Sequence, residues 1–415
     1  MKVHIVGGGI IGLATAYFLH QQGAEVSVVE RGMLDDNCSF GNAGLVAPSH
    51  FVPLASPGVI SKGLRWMLSA KSPFYIHPRL DFDLIRWLWL FFRSSRSPRV
   101  SEAMPVLRDF NLLSKALYAE WAQLPSMDFG FEANGLLMVY HTPKGEATEI
   151  ALADTAAQLG LQVEQWDRAR TESHSGPLGE KVRGSIYYAD DAHLYPSQLM
   201  RQLKNYLAQQ GVHFELGTCV QELVVRNGRV THLQTDKDQP IEVEEVVIAA
   251  GAWSSQLLRP LGLCMPMQGA KGYSVTLKQP TQRPKLPLIL TEAKVAITPM
   301  GQDLRIGGTL ELAGFDDSIN YPRVEGIMAS IRPYLPQLPL PQQGKDPIWR
   351  GFRPCTPDGL PYIGRLEAVP NLTVAAGHAM VGLSLGAATG KLVSQLLARQ
   401  RPDIPLELFR PERFG

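Results

Sequence analysis

The sequence predicts an α/β protein in which a parallel, nucleotide-binding sheet is interrupted twice by a second, mixed-sheet region. Three observations predict it. A strand–glycine turn–helix–strand unit fills Lys2–Glu30, KVHIVGGGIIGLATAYFLHQQGAEVSVVE. Alternating helix and strand signals return at about 191–265, after a long excursion over 56–190. Strand-like alternation then fills 266–344, before a further apolar strand and helix end the chain.

The first unit carries the argument. Val3–Val6 is an apolar run long enough for a buried strand. Gly7, Gly9 and Gly12 follow at GxGxxG spacing. Gly7 permits a tight turn, Gly9 lets the backbone approach a pyrophosphate, and Gly12 lets the helix lie close to the sheet. Ile10 and Ile11 open the helix, whose N-terminal N–H groups and dipole favour phosphate. Gly23 ends it in the place of a left-handed cap. Val26–Val29 gives the second strand, and Glu30 at its tip suits a ribose hydroxyl pair. Arg31 and a polar loop, GMLDDNCSFGNAGLVAPSH, come next. In that loop Ser39, Asn42, Ala43 and Gly44 suit a cofactor's phosphates and ring system.

The remaining elements follow in order. Residues 53–80 are rich in proline and turn formers. Leu84–Phe92, LIRWLWLFF, is almost wholly apolar and too short to span a bilayer. It reads either as a buried helix or as an interfacial one, with Trp87, Trp89, Phe91 and Phe92 among Arg86, Arg93, Arg96 and Arg99. Residues 101–125 predict an amphipathic helix, Gly135–Tyr140 a strand, and Glu149–Leu159 a helix closed by Gly160. Pro196 opens a helix carrying Leu199, Leu203 and Leu207 and ending at Gly211. Strands Val212–Leu216 and Val220–Val225 follow, and Asn227-Gly228 signals a hairpin. Strand Glu245–Ala250 runs into Gly251-Ala252-Trp253. Gly272–Leu277 and Val295–Pro299 alternate as strands, and the proline-rich 333–344 is expected to cross back to the first domain. Leu372–Ala376 is a strand, and a last helix begins near Leu383.

Composition bounds the function. Of 415 residues, 45% are hydrophobic and 19% charged, a globular balance. With 40 basic and 39 acidic residues the net charge is +1, which gives no footing for a nucleic-acid partner. The four cysteines, Cys38, Cys219, Cys264 and Cys355, are scattered and form no metal-ligand spacing. They suit reduced thiols, and the expected compartment is the cytoplasm, with peripheral contact on the inner membrane's cytoplasmic face as an addition. The triple glycine argues against reading the N-terminus as a signal peptide.

Several blocks occur in one order: the VGGGI start, SFGNAG, AAGAWS, RGFRPCTPDGLPYIGR and AGHAMVGLSLGAATGKLV. Together they resemble the D-amino acid oxidase superfamily of FAD-dependent oxidoreductases, with the nearest likeness to bacterial D-amino acid dehydrogenases. The dehydrogenases also show stretches similar to PLASPGVISKGLRWML, PFYIHPRLD and KGYS. The resemblance implies a discontinuous Rossmann-like FAD-binding domain (1–55, 191–265 and 345–415) and a mixed-sheet, α+β substrate domain (56–190 and 266–344). It implies non-covalent FAD, with Cys355 away from the position where related sarcosine oxidases attach theirs. Gly7, Gly9 and Gly12 would hold the pyrophosphate and Glu30 the adenosine ribose. Ser39, Asn42, Ala43, Gly44 and Leu45 would lie along the flavin, Val220 at the adenine end, and Gly251 and Trp253 beside the phosphates. Gly382, Leu383 and Ser384 would approach the isoalloxazine from the last helix's N-terminus, whose dipole favours reduced flavin.

Arg353 is the expected substrate anchor, because a guanidinium grips a carboxylate with two parallel hydrogen bonds. Arg350 is the surface or structural alternative. Tyr273, His50 and His378 are further pocket candidates. Met380 and Ala296 stand where glycine oxidases carry an arginine and a tyrosine, so the pocket is expected to be less polar and roomier than theirs. The implied reaction is oxidative deamination of a D-amino acid to a 2-oxo acid and ammonia. Hydride passes from Cα to flavin N5, and electrons pass on to a quinone or another acceptor. Alternatives are D-proline or hydroxyproline-type secondary amines, an oxygen-using amino acid oxidase, and FAD held only as a structural ligand.

Overall fold

The computed structural model describes residues 1–57, 74–77, 79, 81–342 and 345–415. Most of the block PLASPGVISKGLRWML that supports the resemblance lies outside the described residues.

The Lys2–Glu30 unit forms as its pattern requires. Strand Lys2–Val6, helix Ile10–Gln21 and strand Glu25–Glu30 follow one another, and the two strands pair in parallel. The helix can lie on the sheet because position 12 has no side chain: a Cβ there would sit 1.9 Å from the Gly7 carbonyl oxygen. Gly23 takes φ +79°, the left-handed conformation expected of it. Around this unit a six-stranded sheet runs in the order Tyr362–Arg365, Leu372–Ala376, Glu245–Ile248, Lys2–Val6, Glu25–Glu30, His213–Leu216. All neighbours are parallel except the first pair.

Packed beside it is a nine-stranded mixed sheet. From one edge it runs Ile348–Cys355, Gln268–Leu277, Asp303–Leu312, Val295–Met300, Leu288–Leu290, Leu136–Tyr140, Gly184–Tyr188 and Val163–Asp167, with Phe74–Ile76 alongside Asp303–Leu312. A three-stranded sheet, Val220–Arg226, Arg229–Thr235 and Ile241–Glu242, turns at Asn227 and Gly228. Both turn residues have positive φ, as the Asn-Gly signal demands.

Several expectations are corrected. The crossing back to the first sheet does not happen at 333–344. Ile348–Cys355 is still an edge strand of the nine-stranded sheet, paired along its length with Gln268–Leu277. The chain changes sheets only after Cys355, so the boundary at 345 falls too early. The helix expected from Glu149 starts at Pro143, because the Thr142 hydroxyl accepts from Gly145 N–H at 2.9 Å and caps it six residues sooner. The helix expected over 101–125 spans Ser97–Trp121. It sits inside the first excursion, yet its Phe110, Leu117, Tyr118 and Trp121 join the core of the parallel-sheet domain. The last helix begins at Gly386, with 382–385 in turns.

The helix Gly386–Leu397 packs on Ile10–Gln21 at very short range. A Cβ at Gly390 would lie 2.3 Å from the Ala14 carbonyl carbon. Gly390→Val should force these helices apart and cost about 1–3 kcal/mol, the usual range for overpacking. A lowered thermal midpoint in the purified protein is the expected result.

Candidate functional site

A cavity of about 1790 Å³ lies between the two sheets. One end is the dinucleotide unit. Gly7 takes φ +110° and backs onto Ala249, where a Cβ would meet the carbonyl oxygen at 2.5 Å. Gly9 caps the first helix with no atom nearer its Cβ position than Ser39 Oγ at 3.5 Å, so the approach to the helix N-terminus stays open. Ser39 Oγ accepts from Ile10 N–H at 3.0 Å. Glu30 accepts from Gly8 N–H at 2.6 Å and Gly32 N–H at 2.9 Å, which fixes its carboxylate at the rim. Arg31 lies 3.7 Å above the Trp253 ring. Ile10, Ile11, Val220 and Gly251 also line this part. An open helix N-terminus, a fixed carboxylate at the second strand's tip and an elongated void fit a flavin dinucleotide.

The middle of the cavity is walled by Asn42, Ala43, Leu45, Gly382, Leu383 and Ser384. The second sheet holds the Ser39–Gly44 loop in place. Arg305, buried and with its pKa pushed down to about 10 by burial, donates to the Phe40 and Asn42 carbonyls at 2.8 Å each. Ser274 Oγ donates to the Gly41 carbonyl at 2.7 Å. Trp349 lies flat against Gly41, where a Cβ would stand 1.8 Å from its ring.

Two of the expected cofactor residues, Gly12 and Gly44, serve the scaffold instead, and others do both. Gly12 and Gly44 do not line the cavity. Gly44 has φ +79° and a Cβ there would meet the Leu194 carbonyl oxygen at 2.4 Å, so its role is a close strand approach. The Ser384 hydroxyl accepts from Ala47 N–H at 2.8 Å and donates to Asn111 at 2.6 Å. Tyr118 donates to the Leu383 carbonyl at 2.7 Å. Asn111 and Tyr118 were invisible as site supports in the sequence because they sit on a helix of the other segment.

At the far end stands Arg353. Its side chain lies over Gly272, where a Cβ would clash with the guanidinium at 1.9 Å. Nη1 donates to the Thr309 carbonyl at 2.6 Å. Thr309 takes φ +62°, which turns that carbonyl out of the ladder. Among the described residues no carboxylate pairs with Arg353, and burial lowers its pKa from the ordinary arginine value. Arg350, three residues earlier, also lines the cavity but is paired with Asp317 at 3.1 Å.

The other three candidates divide. His50 lines the cavity, its Nδ1 is buried without a hydrogen-bond partner, and burial followed by the Lys294 charge pulls its pKa down to about 4. It is therefore neutral at ordinary pH. Tyr273 is committed elsewhere: its hydroxyl donates to Glu311 at 3.0 Å and accepts from Asn320 N–H at 3.1 Å. His378 is buried with Nε2 3.0 Å from the Thr389 hydroxyl, and burial pulls its pKa down to about 3. Both rings support the walls and are not aimed into the space. Ala296 and Gly307 form a shallow floor, as the missing tyrosine implies. Met380 and Ala296 both line the cavity, and Thr291, Lys294, Glu149 and Thr148 line it as well. Among the described residues no cluster of His, Cys, Asp and Glu has metal-site geometry.

The parallel sheet, glycine turn and rim carboxylate define a dinucleotide-binding protein. Comparison with known proteins narrows this. The FAD-dependent oxidoreductase (DAO) family matches residues 2–396, and the chain belongs to that family. It is 30% identical to a D-amino acid dehydrogenase of Helicobacter pylori over 397 residues, 95% of this chain and 94% of that protein. It is 31% identical to one of Methylobacterium nodulans over 437 residues, 100% of this chain and 99% of the other. Among solved structures, glycine oxidase from Geobacillus kaustophilus superposes with a TM-score of 0.79 at 24% identity, over 100% of this chain and 99% of that one.

Gly272→Val should push the guanidinium off its backbone seat. Binding of acetate or propionate, read as a perturbation of the flavin spectrum, should weaken at least about tenfold, the worth of a single good hydrogen bond to a charged group. Flavin content should stay the same.

Proposed function

We propose that this chain oxidises free D-amino acids to 2-oxo acids and ammonia with non-covalently bound FAD, and hands the electrons to a quinone or another acceptor. The observation that carries the reading is Arg353, a half-buried guanidinium lining an open cavity with no acidic partner among the described residues. A free amino acid supplies the missing carboxylate. The names of the relatives support the amino-acid substrate and its D configuration.

The chain's own part in the chemistry is mostly placement. Arg353 fixes the substrate carboxylate with paired hydrogen bonds and so fixes the direction of the Cα–H bond. The walls exclude water, which strengthens that pairing. The amine binds unprotonated after losing its proton to solvent, and His50, held neutral, adds no positive charge to the cavity. Bound flavin supplies the two-electron acceptor for the Cα hydride. The 2-imino acid that leaves takes up water and releases ammonia, with no protein base required. Cys355 is fully buried, and burial pushes its thiol up to about 12, which keeps it unreactive and supports non-covalent cofactor binding.

Arg353→Leu should lower kcat/KM for D-amino acids about a hundredfold or more, the loss of two charge-assisted hydrogen bonds. Rapid-mixing measurement of flavin reduction at several substrate concentrations checks this; unchanged reduction would remove the anchor from its role.

The helix Phe82–Ser94 supports a lipid-surface partner. Leu84, Trp87, Leu90 and Phe91 are buried, and Trp87 donates to the Cys355 carbonyl at 2.8 Å. On its other side Phe82 (90% exposed), Ile85 (54%), Trp89 (54%) and Phe92 (60%) form an apolar stripe. Exposed Arg86, Arg93 and Arg96 flank it, and Arg93 stacks over Trp89 at 4.6 Å. A basic rim around an apolar stripe suits anionic headgroups over acyl chains. Among the described residues no helix is long and apolar enough to cross a membrane. The protein should sediment with vesicles containing phosphatidylglycerol, and Trp89→Ser combined with Phe92→Ser should abolish that. Sedimentation left intact in the double variant would exclude this face.

A further inference from the structure

The helix Phe82–Ser94 carries the cavity wall out to the protein surface. It turns about 100° per residue, so its side chains fall into rows four apart. Trp87 and Phe91 form the inner row. Both are buried, both line the cavity, and their rings stack at 5.1 Å. Leu88 and Phe92 form the next row round. They line the cavity too, yet are 36% and 60% exposed. Ile85 and Trp89 come after them; they are exposed and do not line it. Cavity and outer surface therefore meet at the Leu88–Phe92 row, beside the apolar stripe.

Inward from this row the wall stays apolar. Trp87, Phe91, Leu310 and Leu312 belong to one cluster, with Ala379 packed against it. The Trp87 indole N–H is already taken by the Cys355 carbonyl. Leu310 follows Thr309, whose carbonyl holds Arg353. Ala379 donates its N–H to the Pro354 carbonyl at 2.9 Å and leads into Gly382 and Leu383, which wall the middle of the cavity. The path thus ends where the anchor meets the flavin wall implied by the sequence. These side chains offer a zwitterion nothing in exchange for its hydration. A planar apolar ring gains from them both buried area and aromatic faces. A polar approach exists elsewhere. Helix Pro143–Gln158 packs near the other end of the nine-stranded sheet, and its exposed Lys144 and Thr148 line the same cavity.

Resting on the reading of D-amino acid oxidation with a quinone acceptor, we propose that the Leu88–Phe92 row is the mouth by which a lipophilic quinone reaches the bound flavin. The amino acid enters from the polar side. Across the two half-reactions the amino acid gives up two electrons and two protons and leaves as the imino acid. The quinone takes up two electrons and two protons and leaves as the hydroquinone.

The test separates the half-reactions on the flavin-loaded enzyme, without membranes. In one arm dithionite reduces the flavin, and a ubiquinone with a single isoprene unit reoxidises it. In the other arm D-alanine reduces the oxidised enzyme. Leu88→Asp should lower the ratio of reoxidation rate to reduction rate at least about tenfold, the binding that one large apolar contact supplies. Ile85→Asp, one row outside the mouth, should move the ratio by less than about twofold, as exposed substitutions do. Flavin content and thermal midpoint verify that each variant is folded. On the wild-type enzyme a photoreactive azidoquinone should label the tryptic peptide 87–93, which Arg86 and Arg93 delimit. Label confined to other peptides, a Leu88→Asp ratio that does not move, or wild-type flavin that the quinone leaves reduced overturns the mouth. Equal slowing of both arms makes this row the amino acid's entrance and overturns it too. The D-amino acid reading fails separately, when no D-amino acid reduces the flavin; the dithionite arm and the photolabel still decide the mouth in that case.

Discussion

A positive charge with no carboxylate partner among the described residues governs this structure. Arg353 is only partly exposed, and drawing a charge out of water is costly unless something pairs with it. The surroundings hold it in place without neutralising it. Gly272 gives it a seat, and Thr309 gives it one carbonyl, at the expense of a left-handed backbone. Behind Thr309, Arg323 donates to its hydroxyl at 3.1 Å and faces Glu311 at 3.9 Å. Glu311 in turn accepts from Tyr273. Tyr273 therefore contributes at one remove: it braces the strand that presents the carbonyl. In the proposed reading, a ligand carboxylate completes what the fold leaves open.

The same residue sits where the chain passes from one sheet to the other. Ile348–Cys355 closes the edge of the nine-stranded sheet, and only seven residues later Tyr362 joins the six-stranded one. The two sheets are tied at the cofactor loop as well, through Arg305, Ser274 and Trp349 against residues 40–42. Anchor and cradle are thereby set by one junction. A shift of the sheets would move both together, so the separation between Arg353 and the loop at 40–42 is a property of the fold rather than of any flexible loop.

Asymmetry of the walls follows from the elements that supply them. Near Arg353 the cavity borders Trp87, Phe91, Leu310 and Leu312, an apolar cluster built by a helix with one face in the core. Toward Thr291 and His50 the wall is polar. Leu88 and Phe92 line the cavity and also face outward on the same helix, so the apolar wall is continuous with the protein's apolar surface stripe.

Local pattern determined the dinucleotide unit, because glycine spacing, strand length and the acid at Glu30 act within thirty residues and need no distant partner. It also determined the Asn227-Gly228 turn and the strand Leu372–Ala376. Chemistry plus family likeness singled out Arg353, since few side chains suit a carboxylate. What lay beyond the sequence was register and neighbourhood. Tyr273 and His378 had the right chemistry, but hydrogen bonds to Glu311 and Thr389, from other elements, turned them to support. Ala296 carried no local signal of its neighbours; strand pairing set it across from Gly307 and Ile289 on the cavity face. The helix of Leu84–Phe92 offered two readings because an all-round apolar pattern does not say which face finds a partner, and packing settled that by burying Trp87 and leaving Trp89 exposed. Short-range stereochemistry is written in neighbouring letters, whereas pairing between strands far apart in the chain is decided only when the whole set of sheets closes.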